Sequence, residues 1–154
     1  MIQRIQTLYL LVVTAMMACT LFLPIAYFTT TDGVTFTLEA FAIEGMKGPV
    51  WLMGALLSVA TLLPFVTIFL FKNRKAQIGL CAAEVVLQLG SLVVFAIFYW
   101  VLLPQTFAEF SLDVAHTNFG WSAIFPIVSI PLTYLAGRAI FKDEVLVKSL
   151  DRIR

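Results

Sequence analysis

Glu84, Gln88 and Ser91 are the residues whose types and spacing best fit a chemical task. They recur at i, i+4 and i+7 within a stretch that is otherwise apolar, so on a helix they share one face. A carboxylate inside a long apolar segment is costly, and by default it marks a site that faces protein or water. Two roles fit this candidate intramembrane polar site. A neutral or hydrogen-bonded Glu84 ties neighbouring helices together or contacts a partner. Alternatively, Glu84 exchanges a proton for a cationic substrate, as a small proton-coupled transporter or channel requires.

Other chemistries find little support. His116 is the single histidine and falls near Glu109, Asp113 and Asn118. That spacing matches no metal-binding motif, so the reading is a solvated histidine in a loop, with no metal site and no cofactor. No Ser-His-Asp, Cys-His or His-Glu-x-x-His arrangement occurs. A membrane enzyme needs a nucleophile with a base, or a metal set, so no catalytic residues are assigned and an enzyme is not expected. Cys19 and Cys81 both fall in apolar segments and imply no disulfide framework.

The elements that must position these residues follow from composition. The chain has 154 residues, of which 61% are hydrophobic and only 12% charged, with mean hydropathy +0.98. Soluble domains carry about 25% charged residues. One membrane domain spanning 1–154 is expected, with no room for a separate soluble domain and no basic surface suited to nucleic acid. Four apolar segments run over approximately 5–27, 50–71, 76–103 and 120–141. Each reaches the roughly 20 residues that a helix needs to cross the hydrocarbon core. Backbone polar groups must pair within lipid, so helices are expected, and the lack of period-2 alternation argues against a β-barrel. The fold class is therefore an all-α membrane protein with a bundle of four transmembrane helices. Glu84 lies nine residues beyond Lys75, about 13 Å along a helix axis, within the hydrocarbon.

Charge placement orients the bundle. Arg4, Lys72, Arg74, Lys75, Arg138, Lys142, Lys148, Arg152 and Arg154 fall on one side, and Lys47 alone on the other. Asp32, Glu39, Glu44, Glu109 and Asp113 lie on the side with Lys47. The positive-inside rule then puts both termini and the 72–75 turn in the cytoplasm of a bacterial inner membrane, with loops at about 28–49 and 104–119 outside. Met16-Met17-Ala18-Cys19 loosely resembles a lipoprotein cleavage site. The chain stays apolar after Cys19, however, so the first segment reads as an uncleaved helix.

Smaller features fill in this frame. Tyr27-Phe28-Thr29, the turn Thr30-Thr31-Asp32-Gly33 and the alternating Val34-Thr35-Phe36-Thr37-Leu38 predict a short extracytoplasmic β-hairpin between helices one and two. It would serve as a lid over the bundle or as a partner-binding surface. Leu146, Leu150 and Ile153 recur at i, i+4 and i+7 between charges, which predicts a short amphipathic C-terminal helix in the tail 142–154. Pro64, Pro126 and Pro131 interrupt helices two and four, with Thr61, Ser122, Ser129 and Thr133 near enough to help re-satisfy the backbone. The pairs Gly54/Ser58 and Gly79/Ala83 would allow close helix approach.

Three motifs resemble a known family. They are the opening Met-Ile-Gln-Arg-Ile-Gln-Thr-Leu-Tyr-Leu-Leu, the clamp Phe-Lys-Asn-Arg-Lys-Ala-Gln-Ile-Gly-Leu-Cys at 71–81, and the ending that runs from Arg138 to Arg154. Together they resemble an uncharacterised family of small four-helix membrane proteins from Bacteroidota, a domain-of-unknown-function family. The resemblance spans the whole chain and implies a four-helix integral inner-membrane protein. It implies no activity, substrate or catalytic residue, and neither Glu84 nor His116 belongs to the pattern. The expected role is an accessory, assembly or scaffold subunit of a larger envelope complex. Its expected partners are the lipid bilayer and a membrane protein or a second copy of the chain. The alternative is the proton-coupled transporter or channel built on Glu84. The three motifs lie on or beside one basic face, which comprises Arg4, Lys72, Arg74, Lys75, Lys142, Lys148, Arg152 and Arg154.

Overall fold

A computed structural model describes residues 2–43, 50–109 and 111–151, the side chains of 2–4, 150 and 151 excepted. The chain is mostly helical, with a small three-stranded sheet at one end of the helices. In order, the elements are α1 (Ile2–Phe22), β1 (Ala26–Thr30), β2 (Thr35–Leu38), α2 (Trp51–Phe69), α3 (Arg74–Ile97), α4 (Leu103–Glu109), β3 (Val114–Phe119) and α5 (Phe125–Asp151). A π-helical turn, Phe98–Leu102, joins α3 to α4, and a 3-10 turn, Trp121–Ile124, leads into α5. Four helical spans of 18, 19, 36 and 29 residues are therefore long and apolar enough to cross a membrane. The long helices pack in a ring in which α1 meets α2 and α5, and α3 meets α2 and α5.

Several expected boundaries shift. The first helix stops at Phe22 rather than Tyr27 because Pro24 cannot continue it, and β1 starts at Ala26. The third span does not end at 103. Pro104 lacks the N–H that an α-turn would use, and a π-turn absorbs the defect, with the Leu103 N–H bonding the Phe98 carbonyl. Pro104 then sits in the first turn of α4, where proline is tolerated. The region 104–119 is thus half helix and half strand rather than a loop. The predicted hairpin is part of a three-stranded antiparallel sheet of order β2-β1-β3, since β3 pairs along the free edge of β1 from Ala26↔Phe119 to Thr29↔His116. No separate amphipathic tail helix forms over the described residues, because α5 runs unbroken from Phe125 to Asp151. Arg152, Ile153 and Arg154 lie outside the described residues, as do Glu44 and Lys47.

The sheet closes one end of the bundle. Gly33, at φ +79°, makes the β1–β2 turn and donates to the Thr30 carbonyl at 3.0 Å, a conformation that favours glycine. Ala26, Phe28 and Thr30 point inward from β1, following the period of two. The Phe28 and Phe36 rings meet Phe107 edge-on at 5.9 and 5.7 Å, and Phe28 also meets Tyr99 at 6.5 Å. They join Met17, Leu38, Ile43, Met53 and Leu57 in one buried apolar cluster. A second cluster of Leu10, Cys81, Ala136 and Ile140 fills the opposite half of the bundle.

Two sequence expectations about close approach are corrected. Gly54 does not open a helix–helix contact. A Cβ there would strike the Phe41 ring and come within 2.8 Å of the Ala40 carbonyl, so it seats the chain that follows β2. Gly79 has nothing within 4 Å of a Cβ, and Ala83 is exposed beside it. The close approach of α3 to α5 instead lies at Gly137, whose Cβ would stand 3.3 Å from the Cys81 Cβ.

Candidate polar site within the bundle

Helix α3 is turned inside out relative to a helix of a soluble protein. Its buried residues are Gln77, Cys81, Glu84, Gln88 and Ser91, spaced alternately by four and three, as an inward seam requires. Val86, Leu89, Val93 and Ile97 are exposed on the opposite face. A water-facing helix buries its apolar side, so this pattern fits an apolar surround.

The structure brings Glu84, Gln88 and Ser91 together on that seam, with 1%, 0% and 3% of their surfaces exposed. Gln88 Nε2 donates to Glu84 Oε1 at 2.9 Å and to Thr133 Oγ1 at 3.2 Å. Thr133 Oγ1 in turn donates to the Ser129 carbonyl on α5 at 2.9 Å. Ser91 does not join the carboxylate; its hydroxyl donates to the Gln88 carbonyl at 2.8 Å. Glu84 Oε2 is buried and has no hydrogen-bond partner. In a low-dielectric interior an unpaired polar oxygen costs free energy. The network therefore joins α3 to α5 but leaves one carboxyl oxygen without a hydrogen bond.

Other polar ties cross the bundle at different depths. Gln77 Nε2 donates to the Thr67 carbonyl at 2.9 Å, linking α3 to α2. Thr20 Oγ1 donates to the Ser122 carbonyl at 3.2 Å, and the Ser122 hydroxyl donates to the Pro24 carbonyl, pinning the start of α5 to the end of α1. The Ser122 carbonyl is the one that Pro126 leaves without its helical donor, and the Phe125 N–H and Thr20 both supply it. The expected compensation at Pro64 and Pro131 is not made. Thr61, Ser129 and Thr133 bond the carbonyls of Leu57, Phe125 and Ser129 instead. Thr133 and Gln77 were missed as site residues; the signal available was their polarity at an inward position of an apolar span.

At the end opposite the sheet, Arg74 Nη1 lies 2.8 Å from Asp143 Oδ2, an ion pair between α3 and α5 whose angle is not that of a hydrogen bond. Lys148 and Glu144 pair at 2.7 Å along α5. The α2–α3 turn holds Lys72, and Asn73 Oδ1 caps α3 by accepting the Ala76 N–H at 3.3 Å. Lys72, Arg74, Lys75, Lys142 and Lys148 thus gather at one end of the bundle. The side chains of Arg4, Arg152 and Arg154 lie outside those described. His116 lies on the exposed strand β3 rather than in a loop, paired in register with Thr29. Among the described residues no group of three or more His, Cys, Asp or Glu is gathered as a metal site would need.

Residues 2–153 match the family described as a domain of unknown function, DUF4293. The chain belongs to this family. The match covers all three sequence motifs except Met1 and Arg154, and the Arg74–Asp143 pair joins two of them in space. A comparison with the curated proteins finds no match. The DUF4293 description assigns no activity, so function rests on the geometry of this chain.

Proposed function

We propose that this DUF4293 chain is an integral protein of a bacterial inner membrane, of Bacteroidota type, and acts there as an accessory, assembly or scaffold subunit of an envelope complex. Both termini and the 72–75 turn face the cytoplasm, and the sheet lies outside. Sidedness is supported by nine basic residues on one side of the four spans against one on the other. Membrane residence is supported by the inverted α3, with apolar residues outward and polar ones inward.

The observation that carries a non-transporting role is the closed outer end. Phe28, Phe36, Tyr99 and Phe107 pack ring against ring beneath the sheet, and Phe28, Leu38 and Phe107 are all but wholly buried. A solute leaving the Glu84 level would meet this plug. The buried polar groups act as ties between helices, leaving the sheet and the basic end as contact surfaces. The full chain, purified from native membranes in mild detergent, is expected to carry a stoichiometric membrane-protein partner or a second copy. A clean monomer contradicts the role.

One observation favours the second reading, a proton-coupled transporter or channel. Glu84 Oε2 is buried without a partner, and such a group can take up a proton. That reading requires pH-driven flux in liposomes that Glu84→Gln abolishes. The accessory role predicts no flux from either form.

A further inference from the structure

We infer that α5 carries a binding site for an anionic phospholipid, with the phosphodiester held by Arg138 and Lys142 and the acyl chains lying in grooves on either side of the helix. The site goes beyond the accessory role and rests on the membrane placement proposed above.

The two cations are one helical turn apart, about 6 Å along the axis. Both line a groove of about 310 Å³ between α1 and α5, with Ile5, Tyr9, Leu135 and Ala139 as its other walls. Arg138 also lines a second groove, of about 290 Å³, between α3 and α5, where Ile78, Cys81, Val85 and Phe141 make the walls. One guanidinium thus sits on a ridge between two apolar channels, an arrangement that fits one charged headgroup above two hydrocarbon chains. Gly137 makes the second channel possible, since it brings α5 close to Cys81 without a side chain of its own.

Charge balance selects the ligand. The acids that neighbour Lys142 on α5 are already used, Asp143 by Arg74 and Glu144 by Lys148. Among the described residues Arg138 and Lys142 have no protein counter-ion. Guanidinium and ammonium donors match phosphate oxygens, and basic pockets between helices on the cytoplasmic side suit anionic headgroups. A zwitterionic lipid would place its own cation against these two. Lys72 is equally basic but belongs to the α2–α3 turn and lines neither groove, so it separates a built site from general surface attraction.

Native mass spectrometry of the full chain with defined lipids tests the site. Wild type is expected to retain phosphatidylglycerol in preference to phosphatidylcholine. A cation beside anionic lipid contributes about fivefold to affinity, so R138Q/K142Q should weaken retention on the order of thirtyfold. K72Q should leave it near wild type. Equal retention of the two lipids by wild type overturns the site, whatever the variants do. A loss in K72Q as large per cation removed as that in R138Q/K142Q overturns it as well. A chain recovered from membranes without detergent overturns the membrane placement and the site with it.

Discussion

At the scale of single residues, Glu84 is the test of whether buried polarity here does chemistry or holds helices. Its Oε1 accepts from Gln88, which reaches Thr133 on α5. An amide oxygen at position 84 can accept the same bond, and its NH2 group replaces an oxygen that has no partner. Glu84→Gln should therefore melt within about 1 kcal/mol of wild type, the scale of one net hydrogen bond, besides showing no change in flux. Loss of folding in that variant would mean that the carboxylate makes a contact other than the one to Gln88. The seam was legible in the sequence as far as Glu84, Gln88 and Ser91, because a helical period places them on one face. Thr133 was not, because which helix faces α3 is a tertiary fact. Nor does spacing say that Ser91 turns to its own backbone.

At the scale of elements, the four long helices were readable from apolar length alone, and the missed features all involve compensation between elements. The apolar run predicts a third helix that ends at 103, yet a π-turn carries the span through Pro104 to Glu109. The strand β3 is exposed over most of its length, so it lacks the apolar alternation that marks β2, and only its pairing with β1 makes it a strand. The expected separate tail helix is instead the end of α5, because nothing breaks α5 before Asp151. The joint between sheet and bundle centres on Gly120, whose N–H donates to the Ile25 carbonyl at 2.9 Å. A Cβ at Gly120 would strike the Pro24 carbonyl, a backbone atom that cannot step aside alone. Gly120→Ala should cost about 1–3 kcal/mol, as overpacking does, and lower the melting temperature in detergent. An unchanged melt would show that the α1–β1 joint is looser than its contacts imply.

At the scale of the whole molecule, the pattern of α3 and the distribution of charge describe one object. Apolar side chains cover the outside of the four spans, polar ones line the seam, and the described cations collect at the end away from the sheet. Position within the fold now separates basic residues that looked alike in the sequence. Arg74 and Lys148 are engaged in ion pairs, while Arg138 and Lys142 flank apolar grooves. In the proposed topology these four helices span the membrane with the sheet outside and the 72–75 turn inside. Single cysteines at positions 32 and 72, in a chain with Cys19 and Cys81 replaced by serine, can be labelled in intact spheroplasts with a membrane-impermeant maleimide. Position 32 is expected to label at once and position 72 only after permeabilisation. Labelling of both in intact spheroplasts, or of position 72 alone, would contradict it.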